Sequence, residues 1–292
     1  MYQESVIIMN LVIGIDVGIT ATKILGIENG VRIKSPMSVK SPISVRGVEN
    51  PLSSMMGAFG KYVYENGINL SDIEHVMVTG AGAKKLTKPI YDLPTTQVDE
   101  FRANGLGARF DSGLDHVIVV SMGTGTSLVR VDGDDITHIG GLGMGGGTIL
   151  GLSQLLLGTT DMDQISEWAS SGSPYMVNMC ISDISEHTIG NLLGTATASL
   201  FAKAINYHHD KDDIAAGIVY MVLETIGSCA VLSQSAGGFK DFVLIGGLTQ
   251  LPDCGRVFPA MEEMFGVRFI TPKYAPYCTA LGAALSYRPD DV

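Results

Sequence analysis

The stretch that most constrains this chain is Val117–Gly151, VIVVSMGTGTSLVRVDGDDITHIGGLGMGGGTILG, in which ten of 35 residues are glycine. The apolar run Val117–Val120 leads into Ser121-Met-Gly-Thr-Gly-Thr-Ser127. A second alternating run follows, then a polar turn at Asp132–Asp135. After one more short run, Gly140-Gly-Leu-Gly-Met-Gly-Gly-Gly147 opens an apolar segment with helical spacing at Leu150, Leu152, Leu155 and Leu156. Glycine lets backbone amides crowd an anion with no Cβ in the way, and a helix N-terminus adds favourable partial charge. Two such loops close together point to a polyphosphate held between two walls.

At 292 residues and 46% apolar content the chain can bury a large core and is expected to form two domains. Its net charge of −11 argues against nucleic acid or an anionic membrane as principal partner, because both reward clustered Lys and Arg. Cys180, Cys229, Cys254 and Cys278 are scattered, without CxxC spacing, and read as reduced, mostly buried thiols. No basic region precedes the N-terminal apolar run, and Asp16 interrupts it, so a soluble cytoplasmic protein is expected.

In chain order, Val6–Ile15 reads as a strand, with an alternative start at Met9. Asp16–Lys23 reads as a turn, Ile24–Glu28 as a second strand, Asn29-Gly30 as a hairpin signal and Val31–Lys34 as a third strand. Ser35–Val45 is a Pro- and Ser-rich connection. Leu52–Asn66 and Asp99–Arg109 read as helices, Ile73–Thr79 and Thr95–Val98 as strands. The pattern then restarts, with strands at 117–122, 126–131 and 135–139. Helices are predicted at Leu192–Asn206, Ile214–Gln234, Pro252–Phe265 and Ala275–Ser286, and strands at Phe242–Ile245 and Arg268–Ile270. Two copies of one α/β plan imply a duplicated pair, 1–114 and 115–292, with a final helix able to pack back toward the first domain. His208-His209 beside Asp210, the pairs Met55-Met56 and Met176/Met179, Trp168 and the Asp132–Asp135 turn read as ordinary caps, core residues and a hairpin.

With these motifs the chain resembles the actin-like ATPase superfamily (ribonuclease H-like domains duplicated around a nucleotide cleft) and, within it, the type II, Fumble-like pantothenate kinases. The residues that carry the resemblance are Gly123-Thr-Gly-Thr-Ser127, Gly140–Gly151 close behind it, and Glu100-Phe101 opening a helix. The resemblance implies a homodimeric, ATP-dependent kinase that phosphorylates the hydroxyl of pantothenate, or of another small hydroxylated metabolite, with Mg²⁺. It places Gly18, Thr20 and Lys23 near phosphate and Asp16 on Mg²⁺ through water, and gives Glu100 the role of general base. It places Gly123, Thr124, Gly125, Thr126, Gly143, Gly145, Gly146, Gly147, Gly246 and Gly247 on the nucleotide, and Ser121, His138 and Gly140 on the substrate side. The alternative role for Asp99 and Glu100 is to complement a helix dipole, worth roughly 0.3–1 kcal/mol.

Two departures stand out. Ile19 occupies a glycine position of the first turn, where β-branched residues resist positive φ. His138 stands where the family carries an arginine, and imidazole lacks the guanidinium's fixed fork of donors. Other classes on this fold are a nucleotide-driven regulator, a cluster-bearing dehydratase activator and a ligand-sensing module. The lack of paired cysteines at a glycine turn counts against the activator.

Overall fold

The computed structural model describes residues 11–28, 38–39, 43–46, 50–187, 189–205, 209–234 and 238–289. Val6–Asn10, the Asn29-Gly30 hairpin, Val31–Lys34, Asn206 and His208 lie outside the described residues. Among the described residues the chain divides into two compact units. The first contains those up to Asp115, Val131–Thr137 and those from Pro272 on; the second contains His116–Arg130 and His138–Thr271.

The first unit is built on a sheet of β1 (Leu11–Val17), β2 (Ala21–Glu28), β3 (Ser38–Val39), β4 (Ile43–Arg46), β5 (Ile73–Thr79) and β6 (Thr95–Gln97). The order is β3-β2-β1-β5-β6, with β4 also on β2. β1 is antiparallel to β2 and parallel to β5, and β5 is parallel to β6. Every residue of β1 is buried, as expected of a central strand covered on both faces. One face packs on α1 (Pro51–Glu65) through Met55, Phe59 and Tyr62. Asn50 starts α1 by accepting from the Leu52 amide at 3.0 Å, with Pro51 in the first turn.

The other face packs on α2 (Glu100–Ser112) and the C-terminal α8 (Cys278–Leu285), and glycines set the spacing. A Cβ at Gly107 of α2 would stand 1.9 Å from the Cys278 carbonyl oxygen, and one at Gly282 of α8 1.7 Å from that of Ala103. A Cβ at Gly14 of β1 would stand 1.9 Å from the Ala280 carbonyl oxygen. Between the two helices, Thr279 donates to Asn104 Oδ1 at 2.7 Å, both residues buried.

The second unit holds β7 (His116–Met122), most of β8 (Thr126–Asp132) and of β9 (Asp135–Leu142), β10 (Met179–Cys180), β11 (Thr197–Ser199), β12 (Asp241–Ile245) and β13 (Arg268–Ile270), the segment Val131–Thr137 between β8 and β9 belonging to the first. The main sheet runs β13-β12-β7-β8-β9, with β12 parallel to β7 and to β13. Its helices are α3 (Gly146–Leu157), α4 (Met162–Ser171), α5 (Ile181–Ile184), α6 (Lys211–Ser233) and α7 (Cys254–Phe265). α6 is apolar on nearly all faces because it runs through this core: Ile218, Val222, Leu223 and Ile226 are fully buried. Trp168 packs on the same core, with Lys211 Nζ 4.3 Å from its ring centre.

Several expectations are corrected. β1 and β2 extend into the Asp16–Lys23 segment, so the turn is only Gly18–Thr20; β-branched Val17 and Thr22 continue the pairing. The described part of Ser35–Val45 forms β3 and β4 on β2 rather than an unpaired connection. Leu192–Asn206 is not a helix: Thr197–Ser199 pairs with Met179–Cys180, and a 3₁₀ turn follows at Ala202–Ile205. Gly194, Thr195 and Thr197 are weak helix formers, and Phe201 takes a positive φ of 57°. Met176 is 53% exposed rather than core. Gly140 and Gly141 lie inside β9, not in the loop after it. Cys180, Cys254 and Cys278 are buried, Cys229 is partly buried, and all four are free thiols.

Candidate active site

In the first unit, β1 and β5 end in register, Asp16 pairing with Thr79, and β6 ends beside them with Gln97 against Val78. The carboxyl ends of parallel strands, where the chain leaves the sheet, are the usual place for a ligand in such folds. Asp16 is buried there, and Lys23 lies directly across on β2 with its Nζ 4.0 Å from Asp16 Oδ2. Burial pushes the Asp16 carboxyl above its ordinary range, and the Lys23 ammonium opposes that rise.

The turn between them closes by a Gly18 amide bond to the Ala21 carbonyl at 3.1 Å, and a Cβ at Gly18 would stand 2.7 Å from that oxygen. Ile19 is 71% exposed and is not among the residues with positive φ, so the turn accepts it without the strain expected from its branching. Thr20 is exposed beside it.

α2 begins at the same end of the sheet. Asp99 caps it by accepting from the Arg102 amide at 2.8 Å, which makes Glu100 the first helical residue. Glu100 is half-buried. Its carboxyl is raised by burial, then by the charges of Asp16 and Asp99, with Lys23 opposing. Asp16, Lys23 and Glu100 therefore form one electrostatic group, the arrangement expected where a hydroxyl must lose a proton beside phosphate.

Sequence reading missed Gly80, which follows β5 with φ +91°; a Cβ there would stand 2.6 Å from Asp16 Oδ1 and 2.7 Å from the Val17 carbonyl oxygen. The available signal was the Gly80-Ala-Gly82 triplet directly after a buried strand. Among the described residues no cluster of three or more His, Cys, Asp or Glu could cage a metal. A buried carboxylate beside phosphate suits Mg²⁺, which keeps most of its water and takes one or two protein carboxylates.

In the second unit the glycines pack backbone on backbone. The β7–β8 turn closes with the Gly123 amide donating to the Gly125 carbonyl at 2.9 Å. The amides of Gly146 and Gly147, at the start of α3, donate to the carbonyls of Gly123 and Thr124 at 2.8 and 2.9 Å. Thr126 donates its hydroxyl to the Met144 carbonyl at 2.8 Å. A Cβ at Gly145 would stand 2.5 Å from the Thr124 carbonyl oxygen, and one at Gly246, which has φ +97°, 2.4 Å from that of Met122. The structure thus brings Gly123, Thr124, Gly125, Thr126, Gly145, Gly146, Gly147 and Gly246 together. Several of the groups expected to face phosphate are engaged in holding the two loops to each other.

Gly123, Gly125 and Gly143 are exposed, and Gly143 and Gly247 have open space at the Cβ position. Ser121 is half-buried at the end of β7, opposite Ile245. His138 is exposed on β9, two residues before Gly140.

Residues 114–251 match the family model described as Fumble. A type II pantothenate kinase of Staphylococcus epidermidis is 30% identical over 187 residues, covering 61% of this chain and 70% of that protein. The chain belongs to this family. Another type II pantothenate kinase, from Bacillus cereus, is 27% identical over 184 residues, which make up 60% of this chain and 67% of the relative.

Among solved structures, the activator of the 2-hydroxyisocaproyl-CoA dehydratase from Clostridium difficile with bound ADPNP aligns with a TM-score of 0.63 at 20% identity, covering 94% of this chain and 93% of that one. A ROK family glucokinase from Streptomyces griseus in complex with glucose and AMPPNP aligns with a TM-score of 0.55 at 14% identity, covering 94% and 98%. At those identities the likeness establishes the fold alone, that of duplicated actin-like ATPase domains.

Proposed function

We propose that this protein is an ATP-dependent kinase that phosphorylates pantothenate to 4′-phosphopantothenate, the entry to coenzyme A. Supporting this is the grouping of Glu100, Asp16 and Lys23 at one end of the first sheet, in a chain of the type II pantothenate kinase family. Glu100 accepts the proton of the substrate hydroxyl as its oxygen attacks the γ-phosphorus, and ADP leaves with the bond electrons. Lys23 offsets charge on the transferring oxygens, and the turn at Gly18–Thr20 lies beside it. Asp16 is the residue that would hold Mg²⁺, and the ion would supply neutralisation of phosphate charge. In the second unit the exposed Gly123, Gly125 and Gly143, with the part-buried Thr124 and Gly247, offer backbone to the nucleotide. A cytoplasmic homodimer fits the free thiols and the exposed Ile184, Ile189 and Ile205 of the second unit.

The test is ADP release from Mg·ATP with and without pantothenate. Pantothenate-dependent release with a phosphorylated product is expected. Release only with another hydroxylated metabolite would overturn the substrate and favour the second reading, a kinase of altered specificity, which His138 at the arginine position motivates.

Gly80 supplies a further expectation. Gly80→Ala forces a side chain into the Asp16 carboxylate from a backbone that only glycine adopts at ease. It is expected to cost about 1–3 kcal/mol of stability and to lower kcat more than tenfold. Unchanged kcat and thermal midpoint would show that Asp16 has room to move.

A further inference from the structure

Beyond Gly80 the chain of the first unit crosses from β5 to β6, and this crossing begins with the most basic stretch of the sequence. Lys84, Lys85 and Lys88 fall within five residues, and no other five-residue stretch carries three Lys or Arg. From Ala81 to Val98 the only acid is Asp92. All three lysines are exposed, and among the described residues none of their ammonium groups is paired with an acid. In a chain of net charge −11 they make a local field of the opposite sign.

Packing fixes where that field acts. A Cβ at Gly82 would stand 2.5 Å from Val17 Cγ1 of β1, and Ala83 and Leu86 are buried in the core that α1 covers. The Ala83 and Leu86 amides donate to the Gly80 and Ala83 carbonyls at 3.0 and 2.9 Å. In this 3₁₀ segment, at a rise of about 2 Å per residue, the Lys84 backbone lies about 8 Å from Gly80. The Leu86 carbonyl accepts Gln97 Nε2 at 3.0 Å, and Gln97 ends β6 three residues before Glu100. The sheet order is β2-β1-β5-β6. The Gly18–Thr20 turn hangs from β1 and β2, whereas the lysine segment is tied to β5 and β6, two strand spacings or about 10 Å away, on the side where Glu100 opens α2. Asp16, Asp99 and Glu100 crowd this end with negative charge, of which Lys23 meets that of Asp16. An acceptor carrying its own anion would be repelled from Glu100 without a cationic surface, and a neutral acceptor would need none.

We propose that Lys84, Lys85 and Lys88 are specificity-determining residues, the cationic surface that draws in the acceptor and selects alcohols bearing a carboxylate. The assignment rests on the kinase reading for what an acceptor is, and on the sheet order for placing the lysines on its side rather than on that of the phosphates.

Calorimetric titration of the full chain with pantothenate, with its neutral alcohol analogue pantothenol and with ADP tests this, at about 10 mM and about 1 M salt, where the Debye length is about 30 and 3 Å. At low salt the triple variant Lys84→Gln, Lys85→Gln, Lys88→Gln should bind pantothenate about three- to tenfold more weakly than the parent, and high salt should close the gap. Pantothenol and ADP should bind parent and variant alike. Arginine at all three positions should keep the parent affinity, which separates charge from packing. If the glutamine variant fails to fold, the unaltered chain decides: it should prefer pantothenate to pantothenol at low salt and lose that preference at high salt. Because binding is read rather than turnover, a chain that binds pantothenate in this way but releases no ADP would overturn the kinase reading and leave this one standing. Equal pantothenate affinity in parent and glutamine variant, an equal loss for pantothenol or ADP, or no pantothenate binding at millimolar concentration would overturn the proposal.

Discussion

Gly282→Ala is expected to destabilise the first unit by about 3 kcal/mol or more, near the top of the range for overpacking a core. The new methyl carbon would stand 1.7 Å from the Ala103 carbonyl oxygen and 2.7 Å from the Gly107 amide nitrogen, both backbone atoms in the middle of α2. A flexible side chain can swing aside, but a helix backbone moves only as a whole. α8 cannot simply retreat from α2, because Gly14 of β1 presses on its other side at the Ala280 carbonyl. The substitution must therefore part α2 from α8 or push α8 into the sheet.

Calorimetry should show the transition of this unit lowered by about 10 °C, taking a few degrees per kcal/mol. Gly57→Ala is the control. That glycine is exposed on α1 with nothing within 4 Å of a Cβ, and alanine there should gain up to about 1 kcal/mol from helix propensity. If Gly282→Ala melted within 2 °C of the parent, the close helix contact would not be the constraint argued for it.

The same contrast explains what could be read from the sequence. β5 was legible at its observed bounds and α1 nearly so, because local chemistry sets them. Asp99 marked the start of α2, but its end was read at Arg109 rather than Ser112, and the apolar run gave α6 from Ile214 rather than Lys211. Gly14, Gly107 and Gly282 were not legible, because what each glycine avoids is a backbone atom distant in the chain. Leu192–Asn206 misled for a related reason. Its apolar residues have helical spacing, but β11 finds its partner in β10, and that pairing overrides a weak local preference.

Within the candidate site, residues at strand ends were easier to name than the bonds they make. Asp16, Lys23 and Glu100 follow recognisable motifs, and the structure places them in one electrostatic group. The glycine-dense loops were read as a phosphate cradle. Yet the Gly146 and Gly147 amides and the Thr126 hydroxyl are already spent on neighbouring carbonyls, a detail of pairing that composition does not carry. Ile19 shows the converse. Glycine is one solution to that turn, and a negative φ with the side chain in solvent is another.

Glu100→Gln should abolish phosphotransfer while sparing nucleotide binding. Glutamine keeps the size and the helical position but cannot accept a proton, and loss of a general base costs about 10²–10⁴ in kcat. The pH profile gives an independent reading. Burial, with the charges of Asp16 and Asp99, raises the Glu100 carboxyl above its usual 4.5, and Lys23 only partly offsets this. The protonated form cannot act as a base, so kcat/KM should fall as pH drops through that elevated value, and full activity lies above it.

Asp99→Asn removes one of the raising charges while still capping α2, since asparagine is as good a cap as aspartate. The acid limb should then move to lower pH with kcat at the plateau unchanged. A residue that merely complements the helix dipole would give neither result: its glutamine variant would retain transfer, and the acid limb would ignore Asp99. Full transfer activity in Glu100→Gln would remove Glu100 as the base and leave Asp16, the other raised carboxyl in the group, to be tested in its place.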